Sequence, residues 1–315
     1  MEKIKIVFLD RATFGNDCKI KKPDFPHTWV EYQLTKKDQV LKRTRDADII
    51  ITNKVILKNE YLKKLDNLKF ISIPSTGTNI IDLEFCKKLG IKVSNIRNYA
   101  NDSVAEHVLG LIIYLTKKIG LVNQDIKKGK WQKKVTFGAF LRTIPILKGK
   151  KIGIIGKGST GKALSKISKG FGMKVTFFSA RKYKERDFIK FLSTQDIISI
   201  HCPLATNTMN LISMKHIKSM KKDIILINSA RGGIINENDL VSAIQKNLIG
   251  GAGVDVVSQE PPKKNHPYFK ILSKPNFILT PHTAFATTES LQLGMDMTIE
   301  NINNFYKGRL VRRVA

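Results

Sequence analysis

The segment that decides the fold is KIGIIGKGSTGKALSKISKG, residues 151–170. A short aliphatic strand runs into the pattern Gly156-x-Gly158-x-x-Gly161, and a helix follows. In such a loop the first glycine permits a tight turn, the second lets a pyrophosphate approach the backbone, and the third lets the helix pack closely on the strand. The helix N-terminus adds free N–H groups and the positive end of a dipole. The alternative is an ordinary glycine-rich turn, but the strand–loop–helix context favours dinucleotide binding. The predicted phosphate contacts are Gly156, Gly158, Ser159, Thr160 and Gly161.

Strands and helices alternate on both sides of this segment, which is typical of a parallel sheet covered by helices. The predicted strands are Ile4–Leu9, Asp48–Thr52, Lys69–Ile73, Lys151–Ile155, Met173–Ser179, Asp196–Ile200, Asp223–Ile227, Gly251–Val254 and Asn276–Leu279. The predicted helices include Asn59–Leu65, Asn236–Gln245 and Thr288–Tyr306.

A longer helix is predicted after residue 100. Asn101-Asp102-Ser103 supplies a cap, and Ser103-x-x-Glu106 fits a capping box before an apolar run to Ile119. Residues 129–147 have weak periodicity, so we expect an irregular connector there.

Composition excludes several protein classes. The N-terminus does not resemble a secretory signal, and the longest apolar stretch, 104–115, is too short to cross a bilayer. Three cysteines, Cys18, Cys86 and Cys202, lack any metal-finger spacing, so no metal site is expected. Sparse cysteines suit a reducing compartment. We expect a soluble, cytoplasmic protein without a membrane partner.

The charge balance is unusual. Basic residues outnumber acidic ones by 55 to 26, a formal net charge of +29. One interpretation is a nucleic-acid partner, but the basic residues are scattered pairs rather than blocks. A lysine-rich surface is therefore favoured, and a field this positive should also attract anionic small molecules.

The end of the strand after the glycine loop indicates which dinucleotide is bound. NAD sites usually carry Asp or Glu there for the ribose 2′-hydroxyl. Here Ser179 is followed by Ala180-Arg181-Lys182, with no carboxylate before Glu185. A hydroxyl and a guanidinium suit a 2′-phosphate. NADP(H) is therefore favoured over NAD(H), the alternative being that Arg181 and Lys182 are ordinary surface bases.

Three further strand ends each carry one candidate catalytic side chain: Arg231, Glu260 and His282. Carboxyl ends of strands in a doubly wound sheet converge on the cofactor crevice, so these residues can meet. Reduction of a ketone needs a proton donor, which a histidine provides near neutral pH. A carboxylate beside the imidazole orients it and favours its charged form. Arginine can hold the carboxylate of a 2-oxo acid in a bidentate contact.

These segments together resemble the D-isomer-specific 2-hydroxyacid dehydrogenase family, in which an Arg, a Glu and a His serve these roles. The resemblance covers nearly the whole chain. Asn101–His107 resembles a helix start of the family, and His201-Cys202-Pro203-Leu204 with Thr206 and Thr208 resembles a segment beside the cofactor. His107 and His201 are therefore not expected to be the acid.

The resemblance implies further contacts. The backbone N–H groups of a loop would hold the substrate carboxylate, and this loop is Ser75, Thr76, Gly77 and Thr78, joined in substrate binding by Arg231 and His282. The expected cofactor contacts extend to Cys202, Pro203, Thr208, Ser229, Ala230 and Asp255, the last near the nicotinamide.

Within the family, Ser258-x-Glu260-Pro261-Pro262 and the residues after His282 most resemble glycerate dehydrogenases, also called hydroxypyruvate reductases. Hydroxypyruvate and glyoxylate, giving D-glycerate and glycolate, are the expected substrates, with pyruvate or a bulkier 2-oxo acid as alternatives. Thr160 and Phe285 stand where the family usually has Ile and Trp. A dinucleotide-sensing, corepressor-like or nucleic-acid-associated protein is the alternative from another class.

The resemblance also implies an α/β fold of two doubly wound parallel-sheet domains. A flavodoxin-like substrate domain would comprise residues 1–98 and 286–315, and a Rossmann cofactor domain residues 99–285. A homodimer is implied as well, with the helix from Ser103 and the following connector at its interface.

Overall fold

The computed structural model describes residues 3–134, 136–182 and 184–315, with the side chain of Lys182 outside the described part. Two compact units form. The first unit comprises Met1–Ala100 and Ala286–Ala315, and the second unit comprises Asn101–Phe285. The first unit is therefore discontinuous, since the chain leaves it and returns.

The described strands form one parallel sheet in each unit. Those of the first unit are β1 (Ile4–Phe8), β2 (His27–Glu31), β3 (Ile49–Ile51), β4 (Phe70–Ile73) and β5 (Lys92–Asn95). Those of the second unit are β6 (Lys151–Ile155), β7 (Lys174–Phe178), β8 (Ile197–Ile200), β9 (Ile225–Asn228), β10 (Gly251–Val254) and β11 (Phe277–Leu279).

The described α-helices are α1 (Val40–Thr44), α2 (Asn59–Leu62), α3 (Leu83–Lys88), α4 (Asn101–Lys117), α5 (Ile119–Lys127), α6 (Ser159–Gly170), α7 (Glu185–Thr194), α8 (Met214–Ser219), α9 (Glu237–Gln245) and α10 (Thr288–Tyr306). Most of them lie between consecutive strands, and α4 and α5 both lie between β5 and β6. Among the described residues, none of these helices combines the length and apolarity that a membrane span requires.

Strand order explains where ligands can bind. The first unit has the order β2-β1-β3-β4-β5, which is the flavodoxin-like arrangement. The second unit has the order β11-β10-β9-β8-β6-β7, with β7 and β8 on opposite sides of β6. The chain reverses direction across the sheet at β6, and such a switch point opens a crevice at the carboxyl ends of the strands. The predicted fold class, two doubly wound parallel sheets, is confirmed.

The second unit buries both faces of its sheet. On one face, α4 and α6 pack through Ala105, Val108 and Leu164 against the strands. On the other face, α7 and α9 contribute residues such as Phe188 and Leu240. Burying a side chain of this size stabilises the fold by about 1.5–3 kcal/mol. This packing stabilises the sheet, and the sheet in turn positions the loops at the carboxyl ends of its strands.

The prediction for the helix after residue 100 was wrong in two details. The helix begins at Asn101, so Ser103 lies inside it rather than at its cap, and the Ser103 hydroxyl donates to the carbonyl oxygen of Ala284 at 2.7 Å. The helix also stops at Lys117 rather than running on to Ile119, because Lys118 takes a left-handed conformation with φ of 53°. The described residues of 129–147 form an irregular connector, as predicted.

Candidate active site

The glycine loop joins β6 to α6, and its three glycines differ in what surrounds them. Gly156 has a φ of 110°, and a Cβ there would lie 2.6 Å from the carbonyl oxygen of His201. A Cβ on Gly161 would overlap the carbonyl oxygen of Gly156. A Cβ on Gly158 would meet nothing within 4 Å. Two glycines are therefore required by packing, whereas Gly158 borders open space in front of the α6 N-terminus.

This arrangement fits a pyrophosphate. The helix N-terminus directs N–H groups and a positive dipole end at the space that Gly158 leaves open. A side chain at Gly158 would occupy that space without disturbing the protein itself. Thr160, a predicted phosphate contact, donates from its hydroxyl to Asn101 Oδ1 at 3.1 Å and so ties α4 to the loop. That bond also gives a reason for threonine at this position.

The end of β7 lies beside the glycine loop, since the N–H of Gly156 donates to the carbonyl oxygen of Phe178 at 2.9 Å. Ser179 and Arg181 follow directly and are both exposed. Asn207 steadies the turn by donating from Nδ2 to the carbonyl oxygen of Ala180 at 3.3 Å. Asn207 had no recognisable signal in the sequence. The side chain of Lys182, also a predicted contact, lies outside the described residues.

The loop after β8 carries the predicted contacts Cys202, Pro203 and Thr208. Burial raises the pKa of the Cys202 thiol to about 11, which leaves it protonated and unreactive near neutral pH. Thr208 is buried and donates from Oγ1 to the carbonyl oxygen of Pro203 at 2.8 Å. Its hydroxyl therefore shapes the loop, and Pro203 is exposed beside it.

His282 and Glu260 meet directly. The Nδ1 atom of His282 lies 2.5 Å from Oε2 of Glu260, and the two side chains are 27% and 34% exposed. The second oxygen, Oε1, accepts from the N–H of Val257 at 3.1 Å. Phe285 packs edge-on against the imidazole, with ring centroids 5.7 Å apart. These three contacts orient the two side chains, which remain partly exposed to solvent.

The backbone at His282 has an uncommon conformation. Its φ is +54°, in the left-handed region that few residues with a side chain adopt. Asp255 holds this conformation: its carbonyl oxygen accepts from the His282 N–H at 2.8 Å, and its carboxylate accepts from the N–H groups of Thr283 and Ala284, each at 3.0 Å. Strained conformations held in this way concentrate at functional sites.

Asp255 was predicted as a cofactor contact. The structure shows that its carboxylate is 1% exposed and also accepts from Thr280 Oγ1 at 2.5 Å. Thr280 in turn lies 3.1 Å from Nε2 of His107. The positioning of the His282 loop by Asp255 was missed at the level of sequence, because it depends on β10 and β11 being neighbours.

The loop after β9 carries Ser229, Ala230 and Arg231. Strand β9 lies next to β10 in the sheet. Arg231 is exposed, and its Nη1 donates to the carbonyl oxygen of Ala230 at 2.7 Å. The Ser229 hydroxyl is buried with no hydrogen-bond partner among the described residues. A buried unpaired hydroxyl at a crevice is a candidate ligand contact. The loops that carry Arg231, Glu260 and His282 follow three adjacent strands.

The predicted substrate loop, Ser75–Thr78, follows β4 in the first unit. The hydrogen bonds that the described residues show for it use its carbonyl oxygens. The carbonyl of Ser75 accepts from the N–H of Ile96 at 3.3 Å, and that of Thr76 accepts from Asn95 Nδ2 at 2.9 Å. These bonds hold the loop in place through its carbonyl oxygens. Such an arrangement suits binding of an anion by the backbone N–H groups. Among the described residues, no cluster of three or more His, Cys, Asp or Glu side chains could hold a metal ion.

Comparisons with known proteins agree on one family. Residues 109–284 match the model of the D-isomer specific 2-hydroxyacid dehydrogenase, NAD binding domain. The chain is 38% identical to the glycerate dehydrogenase of Methylorubrum extorquens over 97% of each chain. It is 36% identical to the hydroxypyruvate reductase of Blautia hydrogenotrophica over 89% of each. Among solved structures, an acyclic imino acid reductase in complex with NADPH and D-Arg matches with a TM-score of 0.82 and 26% identity, covering 99% of this chain and 100% of that chain.

Proposed function

Because the chain belongs to the D-isomer specific 2-hydroxyacid dehydrogenase family, we propose that it reduces hydroxypyruvate and glyoxylate to D-glycerate and glycolate. The family fixes the reaction class, which is hydride transfer between a nicotinamide coenzyme and C2 of a 2-oxo or 2-hydroxy acid. The narrower substrate choice is supported by the similarity to a glycerate dehydrogenase and a hydroxypyruvate reductase.

The contact between Glu260 and His282 is the main structural support for this function. Since Nδ1 of His282 is bonded to the carboxylate, Nε2 is the nitrogen that can give a proton to substrate. Glu260 stabilises the charged imidazolium and orients the ring. A reduced nicotinamide coenzyme, when bound, would supply the hydride to C2. His282 gives its proton to the carbonyl oxygen, so the carbonyl group becomes an alcohol and the imidazolium becomes a neutral imidazole.

The substrate carboxylate needs its own donors. Arg231, exposed on the loop after β9, is the guanidinium proposed for this contact and for polarising the carbonyl. In the first unit, the N–H groups of Ser75, Thr76, Gly77 and Thr78 are proposed as further donors. The first unit would then serve as the substrate domain and the second unit as the coenzyme domain.

The catalytic assignment is tested by the substitution His282→Ala. Turnover should fall on the order of 10²- to 10⁴-fold, because a general acid contributes about that much. Coenzyme affinity, measured by the fluorescence of the reduced nicotinamide, should stay within error of the wild type. Unchanged turnover in this variant would overturn the assignment.

NADPH is proposed as the preferred coenzyme. Ser179 and the exposed Arg181 stand where an NAD site would have a carboxylate, and Arg181 suits the 2′-phosphate. The variant Arg181→Ala should raise the KM for NADPH and leave the KM for NADH nearly unchanged. An equal change in both constants would contradict the assignment.

A homodimer is proposed, with the helix that contains Ser103 and the connector 129–147 at its interface. Trp131 is 49% exposed, Phe137 94% and Phe140 90%, an apolar surface that a second copy of the chain would cover. Sedimentation velocity should show twice the 35.6 kDa chain mass. The double variant Phe137→Ser and Phe140→Ser should shift the species toward monomer. A monomeric wild type would contradict the proposal.

The cytoplasm is the proposed location. Cys18, Cys86 and Cys202 are all free and buried. Free thiols of this kind are typical of a reducing compartment.

A further inference from the structure

Glu237, in the first turn of α9, binds the loop that carries Glu260. Its Oε1 accepts from the N–H of Ser258 at 2.7 Å, and its Oε2 accepts from the Ser258 hydroxyl at 2.8 Å. The Glu237 side chain is 12% exposed. A mostly buried carboxylate that receives two donors from one residue fixes both the position and the orientation of that residue.

His266 also contacts Glu237. Its Nε2 lies 3.0 Å from Oε2 of Glu237, and its Nδ1 accepts from the N–H of Tyr268 at 3.3 Å. Because Nδ1 is an acceptor, the proton of a neutral ring resides on Nε2 and is donated to Glu237. The carboxylate therefore has three donors, and it also lies at a helix N-terminus, where the dipole favours a negative charge.

Ser258 is two residues from Glu260, and the intervening turn is closed. The N–H of Val257 donates to Oε1 of Glu260, whose other oxygen contacts His282. A shift of Ser258 is thus passed to Glu260 through a short, hydrogen-bonded turn.

The same turn touches the loop of Arg231. A Cβ added to Gly232 would overlap the backbone of Val257 and Ser258, so the two loops pack backbone to backbone. Glu237 itself lies six residues after Arg231 along the chain. One carboxylate therefore joins the end of the Arg231 loop to the start of the Glu260 turn.

We propose that Glu237 is a positioning residue for hydride transfer, acting through Ser258 to hold Glu260 against His282. The inference rests on the proposed function, in which Glu260 and His282 carry the proton transfer. It adds a residue outside the Arg–Glu–His set.

The decisive experiment is a double-mutant cycle with Glu237→Gln and Glu260→Gln in the full-length protein. Glu237→Gln keeps the size of the side chain but cannot accept from all three donors. We expect kcat to fall on the order of 10- to 100-fold, because a misplacement of about 1 Å can cost that much. The KM for hydroxypyruvate, the affinity for NADPH and the melting temperature should change little.

The two substitutions should not be additive. If Glu237 acts through Glu260, the double variant should lose no more turnover than Glu260→Gln alone. Ser258→Ala, which removes only the hydroxyl bond, should give a smaller loss in kcat and provides a second variant if Glu237→Gln folds poorly.

Asp239→Asn is the matched control. Asp239 is another first-turn acid of α9, but its carboxylate accepts from the N–H of Met214, away from the Ser258 turn. Its kcat should stay near the wild-type value.

The outcomes separate the two proposals. Additive losses, or normal kcat in Glu237→Gln beside a strong loss in Glu260→Gln, would overturn the role of Glu237 alone. Unchanged turnover in Glu260→Gln would overturn the proposed catalytic assignment and, with it, this inference.

Discussion

At the scale of single residues, two histidines of the second unit have different roles because their surroundings differ. His282 is partly exposed and bonded to a carboxylate, which suits proton transfer. His201 lies behind the glycine loop with Nε2 2.8 Å from the Ser199 hydroxyl, and burial lowers its pKa to about 4. His201 therefore stays neutral near pH 7, and its contribution is to packing.

The lowered pKa of His201 predicts how stability depends on pH. An unfolded histidine titrates at about 6.5, so between about pH 4 and pH 6.5 the unfolded chain binds a proton that the folded chain does not. This contribution to stability is complete above about pH 6.5 and is lost progressively as the pH falls toward 4. Near pH 5.5 the loss should be about 1 kcal/mol.

Urea unfolding of the wild type and of His201→Gln, at about pH 7.5 and pH 5.5, tests this sign. The free energy of unfolding should fall by about 1 kcal/mol more in the wild type than in the variant. Parallel pH dependence in the two proteins would contradict the assignment.

Residue types and strand ends were sufficient to identify Arg231, Glu260 and His282 as candidates. They were insufficient for Glu237 and Asp255 as positioning residues, because the bonds of these carboxylates join positions 21 to 29 residues apart. Such contacts follow from which strands are neighbours, and strand order has no local signal in the chain.

At the scale of elements, the glycines of the loop have two different roles, one in packing and one in ligand binding. A Cβ on Gly161 meets backbone, whereas a Cβ on Gly158 meets open space. Gly158→Ala should therefore keep the wild-type melting temperature and lose affinity for the reduced coenzyme. Gly161→Ala, the matched substitution three residues later, should lower the melting temperature as well.

Differential scanning calorimetry and fluorescence titration with NADPH measure the two effects separately. The expected loss of coenzyme affinity in Gly158→Ala is on the order of tenfold or more, since about 1.4 kcal/mol suffices for that change. Unchanged affinity in Gly158→Ala would mean that the pyrophosphate does not approach this backbone.

The strands missed at the level of sequence are β2 and β5, and both lie at the edges of their sheet. β2 reads HTWVE and is partly exposed, whereas β5 reads KVSN and buries Ser94 and Asn95, whose side chains donate to the carbonyl oxygens of Val311 and Thr76. The central strands, buried on both faces, gave continuous aliphatic runs and were predicted. The misplaced cap at Ser103 has a similar cause, because its hydroxyl is used by Ala284, a contact 181 residues away.

At the scale of the whole molecule, the net charge of +29 acts on every ligand of the proposed reaction. Substrate and coenzyme are both anionic, and a positive field raises their encounter rate. Salt screens this field, with a Debye length of about 10 Å at 0.1 M ionic strength.

The predicted consequence is a fall in kcat/KM for hydroxypyruvate as ionic strength rises. Between about 0.01 and 0.2 M NaCl we expect a decrease of several-fold, with kcat at saturation nearly constant, since screening acts on association. Steady-state kinetics at fixed pH measures both constants. A kcat/KM that does not change with salt would show that the charge has no part in substrate capture.

The proposed reaction can be measured by following oxidation of NADPH, and separately of NADH, with hydroxypyruvate, glyoxylate, pyruvate and bulkier 2-oxo acids. We expect rapid oxidation of NADPH with hydroxypyruvate and glyoxylate, slower oxidation of NADH, and D-glycerate as the product from hydroxypyruvate. Binding of the coenzyme without its oxidation by any of these acids would contradict the proposed dehydrogenase activity.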